Sequence, residues 1–368
     1  MNKFSARRDP GCAGLFWRCL AALALSAVCL AQSPKINNPK TDPAAYLDRA
    51  LDEMQARALK RSNVDWPRVR AEAVARAKNA AVPVDTYDAI RFALASLHDH
   101  HSALRLTPAL QALEAQRNPH RVVPKPQSDQ PPFSPYATRS IPEGRIEKTD
   151  GKIFALVVVP KCAPQNERQF VEYATKLQRI IAELDRSHPT AWVVDLRGNA
   201  SSNLFPMLAG VGPLLGEGDN LGEFITTRSR SIWKYRDGVA SEIANGSEKP
   251  YPAVEGKPYK MAGTPTVAVL IDGGTAHAGE AVAIAFRARP QTRFFGEFTA
   301  ALSTVSESVA LPDGAYLSLT VGIQADRNGK EYLDGLGPDE LIPNADQAHS
   351  DEQDQPLQGA LWWLSHLH

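Results

Sequence analysis

Cysteine is nearly missing from this chain. Of the 4 cysteines in 368 residues, Cys12, Cys19 and Cys29 fall within the first 31, which leaves Cys162 by itself in the rest. A lone thiol makes no internal disulfide, so the fold has to be held by its core. Net charge is missing as well: 41 basic and 41 acidic side chains cancel. That removes the one-signed field a nucleic-acid or membrane-surface partner would call for. A long apolar run is also lacking. The stretch 19-CLAALALSAVCLA-31 lies behind Lys3, Arg7, Arg8 and Arg18 and falls short of the ~20 residues that cross a bilayer. It reads as a signal peptide over 1–31, cleaved to release an exported protein into the periplasm or exterior, with an uncleaved anchor as the alternative. Val28 before Cys29 does not fit a lipid-attachment site.

What is present is ordinary globular material, 43% hydrophobic, enough for one large core or two modest ones. From Ala44 to Leu106 apolar residues recur at helical spacing and predict three short helices: one carrying Tyr46, Leu47, Leu51 and Met54, one opening at Trp66-Pro67, and one from Tyr87 with Thr86 as its N-cap. The segment 122–142 is too rich in proline for a helix or a central strand and reads as an extended linker. Beyond it, from 145 to 345, strands and helices alternate: strand 153–159, helix 167–185, strand 191–195, a helix from about 203, strand 266–271, helix 278–288 and a strand near 293–295. A polar stretch, about 217–262, interrupts this series, and 309–329 looks like a hairpin around Pro312-Asp313-Gly314. The fold class expected is α/β, a three-helix bundle followed by a layered β-α core.

Three stretches could carry chemistry. In 191-AWVVDLRGNASSN-203 an apolar strand ends in Asp195, Arg197 and Asn199, where a parallel strand's carboxyl end meets a ligand crevice. They are expected either to bind substrate or to brace the strand end. In 97-LHDHHSAL-104, His98, His100, His101 and Asp99 cluster after a helix. In 266-TVAVLIDGGTAHAGEAVAIAFRARP-290 a strand, a glycine turn and a helix follow one another, the arrangement by which many hydrolases expose a nucleophile. At its tip stands His277, not serine or cysteine.

Together these stretches resemble the tail-specific, or C-terminal processing, serine protease family, which includes the tricorn core and the retinoid-binding repeats of photoreceptors. The landmarks are 99-DHHS-102, Asp-Leu-Arg-Gly-Asn at 195–199, Gly296-Glu297 with Thr299, 326-DRNG-329 and Pro338-Asp339. The resemblance implies a crotonase-like (ClpP/crotonase) core without the peptide-binding PDZ insert. It implies peptide or unfolded protein segments as partners and no cofactor. It places His277 at the nucleophile position and His101 as general base, with backbone N–H groups around Ala200, Ser201 and Ala278 as the oxyanion hole. Glu331 or Asp334 would orient the base. Side chains at Ala200, Ser201 and Ser202, where the family has glycines, are expected to crowd the oxyanion donors. Thr275, Ser303 and Ser306 are the hydroxyls that could substitute for the missing nucleophile. If His277 falls beside His101 with Asp99 close by, a metal set is a further alternative. The expected protein is an exported peptidase relative that binds peptides and cleaves them poorly or not at all.

Overall fold

Aspartates start the first helices. Asp42 caps Pro43–Arg57 (α1) and Asp65 caps Trp66–Arg76 (α2), each accepting a first-turn N–H beside a proline. The helix Tyr87–Ala95 (α3) begins differently from expectation. Residues Pro83–Thr86 form a 3-10 turn that runs straight into it, and the Thr86 hydroxyl donates back to the Pro83 carbonyl at 2.7 Å instead of capping. A short strand, Ala103–Arg105 (β1), and a further helix, Pro108–Arg117 (α4), follow. The computed structural model describes residues 41–99, 101–118, 134–251, 253–344 and 354–367. The signal segment, His100 and residues 122–133 of the linker lie outside that set. Residues 36–368 form one compact unit, and no helix among the described residues is long and apolar enough to cross a membrane.

The amino-terminal helices do not bury their apolar stripe among themselves alone. Leu51, Met54, Ile90 and Leu94 pack with Leu311, Leu317 and Leu319 of a hairpin made by Thr304–Ala310 (β13) and Tyr316–Asp326 (β14). The turn of that hairpin is pinned from above: Asp313 accepts the Tyr46 hydroxyl at 2.8 Å and the Tyr87 hydroxyl at 2.5 Å.

The layered core is the one the alternating pattern predicts. Lys152–Val158 (β3), Ala191–Asp195 (β4), Val267–Ile271 (β10), Thr292–Gly296 (β12) and Glu340–Leu341 (β16) run parallel. Glu143–Thr149 (β2) closes one edge antiparallel, giving the order β16-β12-β10-β4-β3-β2. Both faces of this sheet are covered at its centre, which is why β3, β4 and β10 are largely apolar runs. Glu167–Asp185 (α5), Phe205–Leu215 (α6) and Ala278–Arg287 (α7) pack on one face, and Gln355–Ser365 (α8) on the other. The polar stretch between α6 and β10 is not a loop. It holds Gly218–Thr226 (β6), Arg230–Arg236 (β7), Val239–Ala244 (β8) and Ser247–Pro250 (β9), which extend β14 into a second, antiparallel sheet together with β1, β13 and Glu331–Tyr332 (β15).

A buried ion network ties the end of β4 to distant segments. Arg197, 2% exposed, donates from Nε and Nη2 to Asp195 at 2.9 and 2.8 Å, and from Nη1 and Nη2 to Asp354 at 2.7 Å each. Its plane lies over the Tyr136 ring, 4.0 Å from the centroid, and Arg139 adds a bond to Asp195 at 2.7 Å. Burial alone would raise the Asp195 carboxyl; the Arg197 and Arg139 cations hold it well below the usual carboxylate range. Asp354 also caps α8, accepting from Leu357 N–H. Arg197→Ala therefore leaves Asp354 without its cation and Asp195 with Arg139 alone, and the expected loss of unfolding free energy is about 3–5 kcal/mol. It is read from the shift in urea midpoint, and a loss below about 1 kcal/mol would show that the network is not a structural brace.

Candidate active site

The site is built where the carboxyl ends of β4 and β10 emerge side by side. Each strand runs through a short turn into a two-residue strand, Ala200–Ser201 (β5) and Ala276–His277 (β11), and these pair in parallel, with His277 opposite Ser201. Asp272 organises both turns. Its carboxylate accepts the Gly198 N–H at 2.9 Å, the Gly274 N–H at 3.0 Å and the Ser134 hydroxyl at 2.5 Å. Ala276 N–H then donates to the Asn199 carbonyl at 3.0 Å. α7 starts so close to this loop that a Cβ at Gly279 would sit 2.0 Å from the Asn199 oxygen, so only glycine fits there.

His277 caps the start of α7 with φ 54° and ψ −115°. A positive φ at a non-glycine residue is a strained conformation, found where a side chain must be presented outward at a tight turn. The strain is held from behind by Glu280, which is fully buried. Its Oε2 accepts the His277 N–H at 3.0 Å and the Leu302 N–H at 2.9 Å, while Oε1 accepts the Thr299 hydroxyl at 2.6 Å. The imidazole itself is half-buried. Burial lowers its pKa first, the neighbouring His101 lowers it next, the Leu302 backbone opposes this, and Lys161 lowers it further. His277 is therefore neutral at physiological pH.

His101 is brought to the site by a different layer. Asp99 accepts the His101 N–H at 2.9 Å and the Ser102 hydroxyl at 2.5 Å, and Ser102 Oγ accepts from Thr320 N–H at 2.9 Å, fastening the segment to β14. Asp99 is thus committed to backbone and serine. Among the described residues no three His, Cys, Asp or Glu side chains gather to hold a metal, so the His101, His277 and Asp99 set is not assembled as one.

Several expected roles are redistributed. Asp195, Arg197 and Asn199 do not line a groove: they are at most 2% exposed, the first two belong to the ion network, and Asn199 Nδ2 donates to the Val159 carbonyl at 2.8 Å. Ser201 does not crowd the oxyanion loop, because its hydroxyl turns inward to the Cys162 carbonyl at 2.8 Å. The N–H of Ala278 lies in the first turn of α7, where it has no acceptor within its own helix. Glu331 and Asp334 are exposed, and neither bonds to His101 or His277 among the described residues. In the short strand β15 the alternation turns Tyr332 inward, where its hydroxyl reaches Asp326 at 2.8 Å, and Glu331 outward beside Arg230. The substitute hydroxyls are occupied too. Thr275 is buried and donates to the Leu196 carbonyl at 2.9 Å, Ser303 is buried and donates to the Tyr332 carbonyl at 2.8 Å, and Ser306 lies out on β13. Cys162 is buried and its thiol is pushed up to about 12, far from a reactive thiolate. Glu280 and Lys161 were not foreseen as site residues. The first had a signal, an acid three residues into a helix, and the second had none.

The sequence profile of peptidase family S41 matches residues 155–342, just over half of the chain. The chain belongs to peptidase family S41. A nisin-resistance protein of Lactococcus lactis subsp. lactis is 32% identical over 181 residues, 49% of this chain and 54% of that protein. The chain therefore spans about half the length of this curated relative. A lipoprotein from Streptococcus agalactiae has the same fold, with a TM-score of 0.55 at 20% identity over 88% of this chain and 96% of that one. The photosystem II D1 C-terminal processing protease gives 0.54 at 17% identity over 82% and 94%. In this S41 chain the strand–turn–helix is intact around a histidine.

Glu280 gives the site a pH signature. Burial raises its pKa from 4.5 to about 7, partly offset by its hydrogen bonds. The fold favours the protonated form, so the stability it contributes is complete below pH 4.5 and is lost as pH rises through about 7. The expected loss over that window is on the order of 1–3 kcal/mol, and Glu280→Gln should flatten it. Parallel pH profiles in the two proteins would contradict this assignment.

Proposed function

We propose that this chain is an exported S41 relative whose protease-type groove binds peptide or unfolded protein segments, with amide hydrolysis impaired or lost. In this reading residues 145–345 carry the groove, the amino-terminal helices of 44–106 deliver His101, and residues 1–31 direct export. The observation that carries it is His277 itself: the elbow backbone and the Glu280 anchor are in place, while the tip offers an imidazole. Amide cleavage needs an attacking oxygen or sulfur that stays on the carbonyl while the amine departs. From a tetrahedral adduct an imidazole leaves ahead of an amine, so the adduct reverts. A displaced hydroxyl is disfavoured, since Thr275 and Ser303 are buried and their hydroxyls already bonded. The family supports peptides as ligands, and the relative named for nisin resistance makes nisin one to include.

The test compares the wild-type protein with His277→Ser. Wild type is expected to bind fluorescently tagged extended peptides, nisin among the competitors, without cleaving them and without labelling by a fluorophosphonate. His277→Ser is expected to become labelled at residue 277 and to gain peptidase activity. A wild-type protein that cleaves peptide and is labelled at a hydroxyl would overturn the reading, as would failure of any peptide to bind.

A further inference from the structure

We infer that the His277–His101 pair hydrolyses activated acyl esters, those whose leaving group is a phenol or a thiol, through an acyl-imidazole on His277. The inference goes beyond peptide binding and uses a property the site has gained. The elbow backbone that would present a serine oxygen presents a ring nitrogen instead, at φ 54° and ψ −115°. The N–H of that residue is fixed to Glu280 at 3.0 Å, so the ring is carried on a rigid turn and not on a loop. His101 is near enough to act on the ring electrostatically, and the ring stands at the start of α7, whose positive end favours a carbonyl oxygen as it gains charge. Burial and the neighbouring His101 and Lys161 keep the ring unprotonated, the nucleophilic form. The Leu302 backbone favours the protonated ring, as a carbonyl facing one ring N–H does, and such a contact leaves the other nitrogen's lone pair for attack.

The steps balance without a co-reactant other than water. The unprotonated nitrogen of His277 attacks the acyl carbon and a C–N bond forms; the C–O or C–S bond breaks and the phenolate or thiolate departs with the electron pair. The acylated ring is then cationic. Water adds to the acyl carbon as His101 takes one of its protons, the C–N bond breaks with its pair returning to His277, and the carboxylic acid leaves. His101 passes its proton to the departed anion through solvent. The leaving group sets the range. Imidazole, with a conjugate-acid pKa of about 6.5, is expelled before an amide anion, whereas a thiolate near 8.5 or a phenolate near 10 competes with it. Peptides therefore bind and survive in the same groove in which activated esters are consumed.

The experiment uses p-nitrophenyl acetate and an acetyl thioester with the full chain. Wild type is expected to release p-nitrophenol with a half-maximal pH below the ordinary imidazole value of 6.5, and acid quenching should leave an acetyl group on the peptide containing residue 277. His277→Gln is expected to reduce the rate by at least about 10²-fold, to that of free imidazole. His101→Gln should acylate and then stall, a burst without turnover. His188→Asn, which removes an exposed histidine far along the chain, controls for surface imidazoles and should change nothing; circular dichroism confirms that each variant is folded. Ester turnover unaffected by His277→Gln, or no adduct at residue 277 in wild type or in His101→Gln, overturns the inference. Peptide binding without ester turnover defeats this inference alone, and ester turnover without peptide binding defeats the proposed function alone.

Discussion

A single guanidinium holds the site's surroundings together. Arg197 leaves the end of β4, lies against the Tyr136 ring and bonds two carboxylates, one two residues before it and one 157 residues away at the start of α8. Taking one cation and two anions out of water is costly, and the geometry is favourable only because both carboxylates are bridged and Arg139 supplies a second cation to Asp195. The consequence runs forward along the chain. With Arg197 fixed, Gly198 turns at φ 71°, where a Cβ would lie 2.5 Å from the Tyr136 backbone, and the next residues form β5. That strand is what β11 pairs with, so the position of His277 depends on a network whose guanidinium and two carboxylates are buried.

The second constraint is local and opposes an internal strain. A side chain at positive φ costs on the order of 1–3 kcal/mol and persists only where its surroundings over-determine it. Here the surroundings are Glu280, Thr299 and the Leu302 backbone, together with the parallel pairing of β5 and β11. None of these contacts involves the side chain of residue 277. The backbone of the turn is therefore held independently of the side chain it displays.

The sequence was most readable where burial imposes a period. α5 was expected over 167–185 and runs Glu167–Asp185; β4 was expected over 191–195 and runs Ala191–Asp195. Both are long or fully apolar segments whose pattern has one physical explanation. The four strands β6–β9 escaped notice because one of their faces is solvated. In β7 the buried Ser231, Trp233 and Tyr235 alternate with Arg, Ile and Lys, and an alternation carried partly by serine reads as polar. The Asp195 and Arg197 pair was legible as charged groups at a strand end that either bind substrate or brace it, but the sequence left the two readings open, because the deciding partner, Asp354, lies far off with no local signal. Glu331 was misplaced for the opposite reason. A shift of one residue on a strand reverses the face, and Tyr332 holds the inward position.

In the proposed reading, what separates this chain from a working serine peptidase is reach as well as reactivity. The oxyanion donors proposed at β5 and at Ala278 are backbone groups, fixed by the strand pairing and the helix start, so in that reading they do not follow the nucleophile when its side chain changes. The attacking atom of serine is bonded directly to Cβ, whereas the nearer imidazole nitrogen stands one bond further out. A carbonyl in contact with that nitrogen is correspondingly displaced from the donors, and displacements near 1 Å already cost about 10²-fold. An amide carbonyl, which depends on strong stabilisation of its developing oxyanion, loses most. An ester activated by a good leaving group depends on it least, and is the acyl donor for which the altered tip remains a usable nucleophile.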